Sequence, residues 1–201
     1  MFNRFFQHTR KPAGIAGRLM LRMMNRGHAP LSEWGLGHLS LSPGARILDV
    51  GCGGGANIMK LLQMCPRGFV DGIDYSEESV RMSRKLNAGT LGKRCAIVRG
   101  DVGALPYEGG TFDAVTAFET VYFWPDLSRA FAEILRVLKP GGRFLLVCEM
   151  DDPSDTTWTG RIRGMTIYAG EDLKGRLEEA GFKGVALDRK GRSICLTAIA
   201  P

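Results

Sequence analysis

The chain has 201 residues, 44% of them hydrophobic and 24% charged, with a formal net charge of +6. That is the composition of one ordinary globular domain, long enough to bury a central sheet with helices on both faces. No apolar run approaches the ~20 residues of a membrane span, and no apolar leader with a small-residue cleavage site opens the chain, so the expected location is cytoplasmic. Cys52, Cys65, Cys95, Cys148 and Cys195 stand singly, with no C-x-x-C pair. This spacing speaks against a metal site or a disulfide framework and suits a reducing compartment. The charge is uneven. Residues 1–32 hold Arg4, Arg10, Lys11, Arg18, Arg22 and Arg26 and no acid, while the other 21 of the 27 basic residues balance the 21 acids.

In chain order, residues 14–27 can form a helix with Arg18, Arg22 and Arg26 on one face. A second short helix is predicted over 31–39, with Ser32 as N-cap and Trp34 inside. Residues 1–40 thus read as a basic helical arm, and 41–201 as the domain it leads into. A strand at 46–50 runs into a glycine cluster and then a helix over about 55–64. A second strand, 69–73, ends in Asp74. Ser76 is the expected N-cap, with Glu77 and Glu78 in the first turn, of a helix carrying Val80, Met82 and Leu86. Strands follow at 95–98 and 112–118. Asp126 opens a helix with Leu127, Phe131, Ile134, Leu135 and Leu138 at helical spacing, and Lys139-Pro140-Gly141-Gly142 is expected to stop it before a strand at 143–148. A last helix at 170–180 precedes two strands near 184–189 and 193–199. The few residues around Gly191 are too short for a crossover, so these two strands must pair antiparallel. The regular alternation before them implies a parallel, doubly wound α/β sheet.

Residues 47–57 read Ile-Leu-Asp-Val-Gly-Cys-Gly-Gly-Gly-Ala-Asn. Glycines at the end of a parallel strand allow a sharp turn into a helix and close approach of a nucleotide-like ligand. Gly51, Gly53 and Ala56 satisfy both the dinucleotide pattern G-x-G-x-x-G/A and a looser G-x-G-x-G. Asp74 stands about 20 residues further on, where a carboxylate accepts hydrogen bonds from ribose hydroxyls; with the glycine loop upstream that role is favoured over a helix-capping or turn aspartate. Asp101 occupies the same topological position after the third strand and could take an exocyclic amine, though a turn aspartate is the stronger competitor there. Phe118-Glu119-Thr120 ends the fourth strand beside the same crevice.

Five segments in register make a more specific pattern: Leu-Asp-Val-Gly-Cys-Gly-Gly-Gly, Gly-Ile-Asp-Tyr-Ser (72–76), Gly-Asp-Val…Leu-Pro-Tyr (100–107), Thr-Phe-Asp-Ala-Val (111–115) and Leu-Lys-Pro-Gly-Gly (138–142). Together they resemble the class I S-adenosylmethionine-dependent methyltransferases, particularly the branch acting on small molecules. The resemblance is strongest over about 45–150. It implies a Rossmann-like, seven-stranded, mostly parallel sheet with an antiparallel last strand and helices on both faces. It also implies S-adenosyl-L-methionine as cofactor and a small-molecule methyl acceptor. By that resemblance Asp49 and the backbones of Gly51 and Gly53 would face the methionine part and ribose, Asp74 would hold the ribose hydroxyls, and Tyr75 would pack beside the adenine. Asp101 would contact the adenine amine and Val102 its ring edge, with Phe118 and Glu119 near the sulfonium and the amino-acid end. A nicotinamide (NAD) dehydrogenase shares only the first two segments.

No residue stands out as a general base. His8, His28 and His38 all precede the first motif and read as surface or packing residues. Glu119 could act electrostatically or contact the cofactor. Tyr122 and Trp124 are candidates for an acceptor wall, and Phe123 is the expected core member of that trio. Glu149, Asp151 and Asp152 read as a solvated acidic loop. The linker 151–169 is too short for an inserted domain, so acceptor contacts must come from it, from the 122–124 corner and from the arm. The arm reads foremost as a lid over the crevice; docking on an anionic membrane or nucleic acid and a transit peptide are the other readings. Alternatives to catalysis on a small molecule are a non-catalytic cofactor sensor and a nucleic-acid methyltransferase. The latter is not expected, because the chain lacks an Asn/Asp-Pro-Pro-Tyr/Phe motif and the domain without its arm is neutral. No feature specifies an oligomeric state.

Overall fold

The computed structural model describes residues 2–201. Its strands are β1 (Arg46–Val50), β2 (Phe69–Asp74), β3 (Cys95–Arg99), β4 (Phe112–Phe118), β5 (Leu138–Cys148), β6 (Lys183–Lys190) and β7 (Ser193–Ile199). They form one sheet in the order β3-β2-β1-β4-β5-β7-β6. Neighbouring pairs from β3 to β5 are parallel; β7 runs antiparallel to both β5 and β6, as the short connection at Gly191 requires. Strands covered on both faces read as continuous apolar runs, and β1 is buried from Ile47 to Val50. Alternate residues feed opposite cores: Ile47 packs with Ile58, Leu61 and Leu62 on one face, Leu48 with Phe131, Ile134 and Phe144 on the other.

The helices of the domain are α4 (Ala56–Met64), α5 (Glu77–Leu86), α6 (Leu127–Val137), α7 (Thr156–Thr159) and α8 (Gly170–Glu179). Two start at the predicted caps. Ser76 accepts a hydrogen bond from Ser79 N and Asp126 from Arg129 N. The stop after α6 differs from the expectation. The chain passes directly into β5 at Leu138, which is buried and pairs with Phe112, and the turn-forming Pro140 and Gly141 lie within a register shift between Phe112 and Ala114. Ala200 stitches this stretch to the sheet by accepting from Gly141 N and donating to the Gly142 carbonyl, both at 2.9 Å.

The arm comprises α1 (Phe2–Arg10), α2 (Gly14–Gly27) and α3 (Ala29–Leu36). The first of these is additional to the two predicted; its nine residues offer too short and polar a pattern to signal a helix. α3 starts earlier than expected, with Pro30 in its first turn, where a missing N–H costs nothing. Ser32 is therefore not the N-cap. It lies inside α3, buried, and its hydroxyl donates to Asn57 Oδ1 on α4. Gly35 lets α3 lie directly on the sheet, since a Cβ there would come within 2.5 Å of Val147 Cγ2. α2 reaches across to α5 through Arg18 and Glu78, 3.7 Å apart.

Candidate active site

The strand order reverses at the β1/β4 pair, so their carboxyl ends diverge and leave a crevice. The glycine loop leaves β1 here, with positive φ at Gly51 (70°), Gly53 (51°) and Gly55 (82°). A Cβ on Gly51 would sit 2.2 Å from Thr120 Oγ1, so no other residue fits. Gly51 and Cys52 both donate to the Ile73 carbonyl, at 2.8 and 3.1 Å. Asp74 completes the turn: its Oδ2 accepts from Gly53 N at 2.9 Å and its Oδ1 from Ser76 N at 2.8 Å. Burial pushes its carboxyl above the ordinary range, and these backbone donors pull it back. Each oxygen keeps a second lone pair for a ligand hydroxyl.

Beneath the loop lies Asp49, buried, with Oδ1 accepting from Thr116 Oγ1 at 2.8 Å. Among the described residues its Oδ2 has no hydrogen-bond partner. Burial, opposed by Thr116 and reinforced by Asp74, pushes this carboxyl up to about 7. An orphaned buried carboxylate oxygen is costly and calls for a donor from outside the chain.

Two cavities border the loop, and a third shares lining residues with them. The first, of about 160 Å³, is lined by Asp74, Tyr75, Asp101, Val102 and Trp124, with Arg10 of α1 at its rim. The Tyr75 hydroxyl donates to the Arg10 carbonyl, so the arm closes this side. The second, of about 80 Å³, lies between the loop and the arm and is lined by Asn25, His28, Ser32, Asn57, Phe118 and Glu119. The third, of about 270 Å³, is walled by Met20, Met23, Met24, Met150 and Met165. His28 and Glu119 line both the second and the third.

Glu119 sits at that junction with φ of 58°, the one non-glycine residue with positive φ among the described residues. Strain of this kind costs about 1–3 kcal/mol and persists where the surroundings enforce it. Here Glu119 N donates to the Val147 carbonyl at 2.9 Å, and Oε1 accepts from Glu149 N and from the Tyr122 hydroxyl. Burial is the main reason its carboxyl is pushed up to about 8. His28 Nε2 stands 4.0 Å from Glu119 Oε2 and 3.8 Å from Glu149 Oε2. Burial lowers the His28 imidazole below its ordinary value, and the Glu149 charge opposes that shift.

Several expectations change at this point. His28 belongs to the crevice, not to the surface; the α2–α3 corner carries it there, which no local pattern announces. Glu149 shares that corner of the site with it. Phe123 is half-buried and lines the first and third cavities, whereas Tyr122 and Trp124 are the core members, at 3% and 7% exposure. Trp124 faces the first cavity, with Nε1 donating to Thr120 Oγ1 at 3.3 Å, and Tyr122 faces the third. His38 lies elsewhere, paired with Asp188 at 2.8 Å, which holds its imidazole above the ordinary range.

Residues 48–146 match a family model described as a methyltransferase domain. Among curated relatives, an arsenite methyltransferase of Halobacterium salinarum is 30% identical over 163 residues, covering 77% of this chain and 41% of that protein. A phthiotriol/phenolphthiotriol dimycocerosates methyltransferase of Mycobacterium ulcerans is 34% identical over 145 residues, covering 71% and 51%. The chain spans from 28% to 51% of the length of the first curated relatives it matches. Among solved structures, a Haloferax volcanii methyltransferase in complex with the Trm112 methyltransferase activator superposes with a TM-score of 0.82 at 20% identity, covering 100% of this chain and 97% of that one. At that identity the likeness concerns the fold.

Proposed function

The chain belongs to the class I S-adenosylmethionine-dependent methyltransferases, and on that premise we propose that it methylates a small apolar acceptor where the second and third cavities meet. The observation that carries this reading is that His28 and Glu119 line both the glycine-loop cavity and the methionine-walled one. S-adenosylmethionine supplies a methyl group already activated on a positively charged sulfonium, so alignment and exclusion of water are the protein's main tasks, worth about 7–11 kcal/mol of barrier.

The residues fit that group. Asp74 offers free lone pairs to ribose hydroxyls, with Tyr75, Asp101 and Val102 around the nucleoside end. The orphaned Asp49 Oδ2 suits a donor from the amino-acid end, and Gly51, Gly53, Phe118 and Glu119 line the second cavity. Residues 1–40 act as a lid: Arg10, Met20 and His28 each contribute to a cavity wall, and Arg18 is drawn to Glu78. The acceptor is a small molecule because its cavity lies under this lid. None of Arg18, Arg22 and Arg26 lines any of the three cavities. No helix among the described residues is long and apolar enough to cross a membrane, and five unpaired buried cysteines suit a reducing, cytoplasmic setting.

Calorimetric titration with S-adenosylmethionine, its demethylated product and NAD tests the reading. Micromolar binding of the first two and none of NAD is expected; binding of NAD alone would overturn it.

A further inference from the structure

The methionine-walled cavity has a chemistry of its own. Among the described residues, no lysine or arginine lines it; its ionisable groups are His28, Glu119 and Glu149, besides the Tyr122 phenol. The nearest polar atoms of the first three lie within 4.8 Å of one another. The Glu119 side chain is 9% exposed and its Oε2 accepts no hydrogen bond among the described residues, since Tyr122 and Glu149 N both go to Oε1. Around this polar corner stand Met thioethers and the rings of Phe6, Tyr122, Phe123 and Trp158, with Phe6 and Trp158 edge to face at 5.4 Å. Carboxylates within aromatic and thioether walls attract a cation and repel an anion. A carboxylate ligand or an acceptor that must become a phenolate would meet the Glu149 carboxylate at close range.

We propose, resting on the methyltransferase reading, that this cavity takes an apolar amine, its nitrogen seated among Glu119, Glu149 and His28 and its hydrocarbon body against the methionines. In water such an amine is an ammonium ion. Glu119 holds its proton at neutral pH, because burial pushes it up to about 8. Seating the ammonium therefore sends one proton to solvent. Either Glu119 loses it and pairs with the ammonium, or the ammonium loses it and lies as a neutral amine against the Glu119 carboxyl. The second arrangement frees the nitrogen lone pair that an acceptor needs. His28, kept neutral by burial, can accept a hydrogen bond from the same nitrogen. Lys60, in the neighbouring cavity, is occupied by the Ala29 carbonyl and Glu33.

The test is calorimetry at pH 7 on the full chain saturated with S-adenosylhomocysteine, using n-octylamine, n-octanol and octanoate in phosphate and in a sulfonate buffer of different ionisation enthalpy. Octylamine should bind at least about tenfold tighter than either other probe and release about one proton. In Glu119→Gln, which keeps the oxygen that accepts from Tyr122 and Glu149 N, the proton release should disappear where Glu119 is its source and persist where the ammonium is, and the preference for octylamine over octanol should shrink in both cases. Glu149→Gln should narrow the preference for the amine. Octanol or octanoate binding as tightly, amine binding without proton release, or amine affinity that vanishes with a chelator would each overturn the proposal. Failure of S-adenosylhomocysteine to bind, with the amine still behaving as described, would remove the methyltransferase reading and leave the amine site.

Discussion

The two sides of the crevice are built by different means. The side proposed for the nucleoside is made by the ends of β1, β2, β3 and β4 and by one loop. Its key groups are backbone amides and two carboxylates, fixed by contacts such as Gly53 N to Asp74 Oδ2 at 2.9 Å. The acceptor side is assembled from pieces distant in sequence: Phe6 and Met20 from the arm, Tyr122 after β4, Glu149 after β5 and Trp158 in the linker. A constant ligand can be held by the scaffold, whereas the acceptor is chosen by parts that can change without disturbing the sheet. The two sides should therefore respond separately to mutation, except at Met24, His28, Glu119 and Phe123, which line cavities on both.

The strongest break falls on the scaffold side. Gly51→Val would place a branched side chain at φ of 70° and against Thr120. Strain alone is about 1–3 kcal/mol, so S-adenosylhomocysteine affinity should fall below calorimetric detection in protein that still shows a helical spectrum. Micromolar affinity in this variant would mean that the loop does not cradle the ligand. Next in size is Asp74→Ala, which removes charge-assisted hydrogen bonds and should cost at least ~2 kcal/mol of cofactor affinity, roughly thirtyfold. An unchanged dissociation constant would reject Asp74 as the ribose anchor.

A pH effect sharpens the junction. Burial raises Glu119 from 4.5 to about 8, so the native state keeps a proton that the unfolded chain releases. Its contribution to stability is full below pH 4.5 and is lost as pH rises to 8, at up to ~1.4 kcal/mol per pH unit. Glu119→Gln should flatten the decline in unfolding free energy between pH 5 and 8, measured by denaturant titration; a slope equal to wild type would show that Glu119 is ionised throughout. The smallest expected effect on cofactor binding belongs to Trp158→Ala. Trp158 lines the third cavity and neither of the others. Affinity for S-adenosylhomocysteine should stay within about twofold, while affinity for an apolar ligand of the third cavity drops. Equal losses for both ligands would erase the distinction between the sides.

The same contrast governs what could be read from residues alone. The sheet, its reversed edge, and the caps at Ser76 and Asp126 follow from local chemistry, because alternation, glycine punctuation and capping are written in neighbouring positions. Asp74 and Asp101 were legible by their place at strand ends. The Asp74 clamp on Gly53 N was not, since it depends on how sharply the loop turns back. His28 carries no local signal; only the angle between α2 and α3 brings it to Glu119. Phe123 was expected in the core, yet on the short 3-10 turn over Val121–Phe123 it is half-buried and joins Tyr122 in lining the third cavity. Ser32 was read as a cap, yet the helix has already begun at Ala29, with Pro30 in its first turn.

The central claim is that cofactor and acceptor meet at Glu119 and His28. A crystal structure with S-adenosylhomocysteine tests it most directly. The adenosine is expected in the first cavity, the amino-acid end in the second, and the sulfur at the junction facing the methionine-walled cavity. A sulfur turned away from Glu119, with the third cavity cut off from it, would contradict the claim.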